Sequence, residues 1–451
     1  MSLSLIRKPF VMQGLAITVA ALMMNSTHAA SEQEQIQQLR DEVKELRALL
    51  QQYVPQAKQQ NDAAQVAVAP ATAVAATNNQ NTAAVVTTAA PKKSPLNFST
   101  ASGAEVKLYG FLRGDASYQA KGGDGIFNRI NKVDLEGAEK NSDRFYSTAT
   151  VTRLGLDFKA PVEGADVGSK LVVDFRGGSS NDTIRIRHAY MTYNDWLFGQ
   201  TTSTFLATDL QPEMLDFNSP LGIGTYRTPM VRYSGKFTPE TSYAVALEKG
   251  NDDNRAPSLT SKVKYDFAEG KGTTSARALL TEARSKATYD NNNNRINSGE
   301  AELGWGVAVG TKYKFTDSLQ AMIDYSHVKG DSKFLLYTNN AFNVNPNNFD
   351  LNLNEFDAVT VGTTYQINPK LRSTLAYGAM FADDSNDFAK QAVVAKDTAQ
   401  NKTLQQGWWN IMYSPVTPIT FGLEYIYGER KTFDGQKGKD NRVGAMARYN
   451  F

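Results

Sequence analysis

Cysteine is absent from the chain, which removes disulfides, thiolate nucleophiles and Cys-ligated zinc or iron–sulfur sites, and fits an envelope protein that avoids unwanted oxidation. Histidine is nearly absent: the 3 present are His28, His188 and His327. By alternation His188 falls on the apolar side of its strand, and His327 lies near a strand end. No serine has a His–Asp partner at a useful spacing, so no enzyme activity, metal site or cofactor is expected. Charge of one sign is not in excess either. The formal net charge is +2 over 451 residues, so net charge points to no nucleic acid or other partner, and selectivity must come from where charges sit. Long apolar runs are missing beyond the N-terminus. A mean hydropathy of −0.42 excludes a bundle of membrane helices but not a β-barrel, whose strands are only half apolar.

The N-terminus does carry one apolar run. Arg7 and Lys8 precede Val11 to Met24, and Thr27-His28-Ala29 offers a small-residue cleavage site, so residues 1–29 are expected to be a signal peptide. The run is too short for a comfortable spanning anchor. Its removal leaves a formal charge of zero. Residues 31–54 then read as a helix with a heptad seam: Ile36, Val43 and Leu50 alternate with Leu39, Leu46 and Tyr53. A helix this short is marginal alone in water, so it is expected to oligomerise. Branched residues at one seam position with Leu at the other favour two strands, although a barrel below could impose its own symmetry. Residues 55–104 lack sustained periodicity and are rich in Ala, Val, Thr, Asn and Gln, the composition of a flexible linker. Lys92 and Lys93 in it could touch peptidoglycan, with solvated charge as the default reading.

From 105 to 451 the pattern is uniform, with alternating runs of roughly ten residues. The last is representative: Val443, Ala445, Ala447, Tyr449 and Phe451 alternate with Arg442, Gly444, Met446, Arg448 and Asn450. One face is apolar and the other carries arginine and small polar groups, as expected of the closing strand of an outer-membrane barrel. Counting such runs predicts an all-β transmembrane barrel of about 16 antiparallel strands, the aqueous-channel class. Short turns such as Phe315 to Ser318 alternate with long polar loops such as Lys329 to Asn352, the periplasmic and external connections of such barrels. Tyr118, Trp196, Trp305, Tyr365, Tyr413, Tyr427 and Phe451 fall near strand ends and would form the girdles against outer-membrane lipid and lipopolysaccharide.

Opposite the apolar faces stand Arg113, Arg153, Arg176, Arg185, Arg187 and Arg232, with Lys107 and Lys170. Fixed positive charge in a narrow aqueous pore attracts anions and excludes cations, and guanidinium groups match planar carboxylates. Asp115, Asp157 and Asp174 are the expected partners, and wall-stiffening salt bridges are the competing reading. Between Gln200 and Arg232 the alternation breaks into a proline-containing segment with several apolar residues. It is expected to fold into the lumen and bring Asp209, Glu213 and Asp216 to face the arginine-bearing wall.

These features together are familiar. The IQQLRDEVKELRALL helix, the LYGFLRGDASY opening, RLGLDF, IRIRHAYMTY followed by FGQTTSTF, LQPEMLDFN and the terminal aromatic resemble the DcaP-like porins. The resemblance spans essentially the whole mature chain, with RLGLDF and IRIRHAY…GQTTSTF its most specific blocks. It implies homotrimers of sixteen-stranded barrels passing small organic anions, dicarboxylates particularly, with lumen arginines at Arg153, Arg176, Arg185 and Arg187. The expectation is therefore an outer-membrane diffusion channel with a periplasmic N-terminal helix. The alternatives are a structural protein tethering the outer membrane to the cell wall, and a saccharide channel.

Overall fold

In the computed structural model, residues 96–100, 103–218, 220–286, 288–289, 295–297 and 299–451 are described. The segments expected to be a signal peptide, a heptad helix and most of a linker lie outside the described residues. Sixteen strands form one antiparallel sheet: β1 (Glu105–Lys121), β2 (Arg144–Thr148 and, after an interruption, Arg153–Val162), β3 (Ala165–Gly177), β4 (Thr183–Tyr193), β5 (Trp196–Thr202), β6 (Arg227–Lys236), β7 (Thr241–Glu248) and β8 (Ser258–Phe267). The second half comprises β9 (Gly272–Arg284), β10 (Ala301–Lys314), β11 (Leu319–Lys329), β12 (Glu355–Asn368), β13 (Leu371–Ala382), β14 (Asn401–Val416), β15 (Ile419–Thr432) and β16 (Lys437–Asn450). The sheet closes because β16 pairs with β1, from Asn450 opposite Phe111 to Val443 opposite Tyr118. Phe451 and Gly110 exchange backbone hydrogen bonds of 3.1 Å at the lower end of this seam. Below it, Asn97–Ser99 pairs with Lys107 to Glu105 in the lane that β16 vacates.

Alternation sorts the wall into two faces. In β16 Val443, Ala447 and Tyr449 are outward and exposed, while Arg442 and Met446 are buried inside. Tyr118, Trp196, Tyr365, Tyr413 and Tyr427 are likewise exposed on the outer face, where a hydrocarbon solvent accepts their rings and an interface their hydroxyls. The expected side of His188 is corrected here. A bulge between Val172 and Val173 of β3 places two residues of β4, Arg187 and His188, in succession on the inner face. Below the bulge the parity is reversed: His188 Nδ1 lies 2.9 Å from Thr201 Oγ1 of β5, and Met191 and Tyr193 are exposed outside. Strict alternation cannot anticipate one extra residue.

The β5–β6 loop (203–226, L3 below) folds into the lumen. Phe205, Leu206, Leu221 and Ile223 in it are completely buried, and Phe205, Leu206 and Leu221 join Leu279, Ala308, Val328, Phe356, Ala376 and Trp408 of the inner wall in one apolar cluster. The β11–β12 loop adds to it. Asp331 accepts backbone N–H bonds from Lys333, Phe334 and Leu335 at 2.6, 2.9 and 3.2 Å, and Phe334 and Leu335 enter the cluster. Burial pushes the Asp331 carboxyl up, against these N–H groups. L3 can lie so close to the wall because the wall has no side chains at key points. A Cβ on Gly378 would sit 2.5 Å from the Leu221 carbonyl oxygen, and one on Gly422 would sit 2.8 Å from Leu215 Cδ1.

Gly378→Val is therefore expected to destabilise the folded barrel by about 1–3 kcal/mol. Urea unfolding in detergent, followed by tryptophan fluorescence, reads this directly. Unchanged stability would mean that L3 does not rest on β13.

Candidate functional site

The inner faces of β1 to β4 and β6 carry the cations anticipated from alternation. Asp174 in β3 is fully buried and receives Arg185 Nε and Nη2 at 2.9 and 2.7 Å and Arg187 Nη1 at 2.7 Å. One carboxylate thus serves two guanidiniums. Arg113 turns both Nε and Nη2 onto Asp115, and its Nη2 also donates to the Leu215 carbonyl of L3 at 2.5 Å. Among the described residues Arg153 has no carboxylate partner. It lies over the rings of Phe111 and Phe217, at 5.2 and 5.7 Å, and its Nε is buried and unpartnered. Arg176 lies over the Phe127 ring at 5.0 Å.

The remaining predicted cations stand apart from this group. Lys170 Nζ contacts Asp157 at 3.0 Å and the Tyr109 hydroxyl at 3.0 Å, and Lys107 lies over the same tyrosine, towards the short-turn end of the barrel. Arg232 in β6 stands beside Tyr190 and Glu248.

The acidic residues of L3 are placed differently from expectation. Asp209 pairs with Lys262 of β8 at 2.8 Å, Glu213 with Arg372 of β13 at 2.5 Å, and Asp216 with Arg442 of β16 at 2.6 Å. They pair with cations of β8, β13 and β16 rather than with the arginines of β2 to β4. The reason is local: the L3 backbone is held on the late wall by Glu424 of β15, which accepts the N–H groups of Leu215 and Asp216, each at 2.8 Å. The loop's own negative charge is consumed in fastening it there. The cluster on β2 to β4 keeps more guanidiniums than carboxylates.

Sequence reasoning passed over several contributors. Arg227, the first residue of β6, is within electrostatic reach of Arg153, Arg185 and Arg187 and has a buried, unpartnered Nε. It was hidden in the segment where alternation breaks. Arg277, Arg372, Arg442 and Arg448 were on legible inward faces, and Arg442 and Arg448 had been placed opposite the apolar residues of the last strand. The aromatic residues Phe127 and Phe217 sit in loops, where no periodicity marks their direction.

A closed barrel of sixteen antiparallel strands, apolar outside and lined with charge around an inserted loop, defines the class of outer-membrane channels. The chain belongs to the DcaP outer membrane protein family, whose model matches residues 35–451. It is 45% identical to the outer membrane channel DcaP of Acinetobacter baumannii, covering 78% of this chain and 99% of that one with a TM-score of 0.70. The fold also matches the anion-selective porin from Comamonas acidovorans at 12% identity and TM-score 0.50, over 77% of this chain and 100% of that one. The trimer form of OmpT from Vibrio cholerae matches at 13% identity and TM-score 0.51, over 77% and 99%. A search of curated proteins found no match.

Arg442 is the site's most committed cation, donating to Asp216 at 2.6 Å, Asp440 at 3.2 Å and the Ile126 carbonyl at 2.9 Å while fully enclosed. Arg442→Met strands two buried carboxylates and is expected to cost about 3–5 kcal/mol. Asp216→Asn added to it should restore part of that in the same urea titration.

Proposed function

We propose that the protein is a passive outer-membrane channel for small organic anions, dicarboxylates foremost, selected by the lumen arginines and sized by L3. The observation that carries this reading is the charge imbalance beside L3. Arg153, Arg185, Arg187 and Arg227 lie within electrostatic reach of one another, and Asp174 is bonded to Arg185 and Arg187 only. A fixed surplus of positive charge in a water-filled, low-dielectric tube attracts anions along the axis. Two guanidiniums at adjacent positions can each offer paired N–H donors to one end of a dicarboxylate.

The same reading includes a homotrimer. At the closure seam Gly114, Ala116, Ala445 and Ala447 form a shallow outward groove flanked by Tyr413, Phe421 and Leu423, a surface on which a second barrel can approach closely. The heptad residues Ile36, Leu39, Val43, Leu46, Leu50 and Tyr53 would reinforce the assembly. Lipopolysaccharide surrounds the upper aromatic rim in this reading, and Lys92 and Lys93 are available to peptidoglycan.

In a planar bilayer under a salt gradient, the reversal potential is expected to have the sign of anion selectivity. Arg153→Gln combined with Arg227→Gln should move it towards zero and raise the half-blocking concentration of succinate about tenfold. These two positions are chosen because neither leaves a carboxylate unpaired. A cation-selective wild type would refute the proposal.

A further inference from the structure

Two phenylalanines, one from each of two loops, stand against the arginine cluster. Phe217, near the turn of L3, is half-buried, and the guanidinium carbons of Arg187, Arg153 and Arg185 lie 5.0, 5.7 and 5.9 Å from its ring centroid. Phe127, from the β1–β2 loop, packs on Phe217 with centroids 6.0 Å apart and takes Arg176 at 5.0 Å. Asn218 Nδ2 donates to the Phe127 carbonyl at 2.5 Å, so the two loops are joined next to the ring pair.

What an aromatic does at this point follows from charge. Several guanidiniums around one carboxylate repel each other and would spread into the lumen. A second carboxylate would gather them but would cancel the charge and occupy their donors. The face of a phenyl ring attracts a cation through its quadrupole, without neutralising it and without using an N–H group. Terminal donors stay free: among the described residues the two terminal nitrogens of Arg153 and Nη2 of Arg187 have no protein partner, Arg187 giving only Nη1 to Asp174.

We propose that Phe217 is the positioning residue of the anion site: its ring, backed by Phe127, holds Arg153, Arg185 and Arg187 in one cluster whose charge and donors remain available to an entering carboxylate. This rests on the channel being the anion channel proposed above. The residue that sets affinity then lies on the inserted loop and not on the charged wall.

The test is a substitution series at position 217 in the full-length protein, read as succinate block of current in planar bilayers. Phe217→Leu keeps most of the volume and loses the ring face. It is expected to raise the half-blocking concentration about fivefold, and Phe217→Ala at least as much. Phe217→Tyr and Phe217→Trp retain the face and should stay within about twofold of the wild type. Phe127→Leu should act in the same direction with a smaller effect. Each variant is first checked for the heat-modifiable gel mobility of a folded barrel. Should the alanine variant not fold, the leucine and tyrosine variants alone decide the matter. A leucine variant that blocks like the wild type would overturn the proposal, because the ring would then only fill space. Tighter block in the leucine variant would overturn it too, because the ring would then compete with the solute. All variants should remain anion-selective. A cation-selective wild type would instead overturn the reading underneath, and the two failures are told apart by the sign of the reversal potential.

Discussion

A wall that faces lipid has no water to satisfy its backbone, so each N–H and C=O group must find its partner within the wall. The pairing of β16 with β1 meets that requirement by removing the last free edge, and the rest of the architecture depends on it. The interruption of β2 is the instructive test. Where residues 149–152 leave the ladder, the loss is made good locally: Phe175 donates its N–H to the Thr150 carbonyl, and the Arg113 N–H turns to Thr152 Oγ1 at 3.1 Å. Irregular backbone is tolerated in this wall because side chains and neighbouring carbonyls take over the hydrogen bonds.

Closure also creates an interior with two unlike sides. The late strands present glycine, alanine and a scatter of apolar side chains, and L3 is laid against them like the lining of a sleeve. Its three acidic residues are fastened to cations of β8, β13 and β16. The early strands present guanidiniums that outnumber the carboxylates bonded to them. Loop and cluster still meet at two points: Arg113 donates to the Leu215 carbonyl, and Phe217 lies under Arg153, Arg185 and Arg187.

Strand number, order and facing were legible in the sequence because barrel strands see two solvents and the side-chain period is two. The sixteen runs read from alternation match the sixteen strands, and the broken pattern after β5 did mark an inserted loop. The pairing of that loop was not legible. Which cation Asp216 meets depends on how Glu424 holds the backbone beside it, a contact across 208 residues of chain. Arg227 and Phe217 were missed for a related reason: each lies within or at the edge of a segment without periodicity, where the identity of a residue says nothing of its direction. His188 was assigned to the lipid side because a bulge changes the count by one without changing the composition.

That bulge has a consequence for how β4 can vary. Deleting Arg187 or His188 would remove the extra residue and leave both halves of β4 facing as they do now. In a strand with a regular ladder, such as β10, the same deletion would exchange the two solvents of everything between it and the next turn. Lengthening an external loop by several residues would disturb far less.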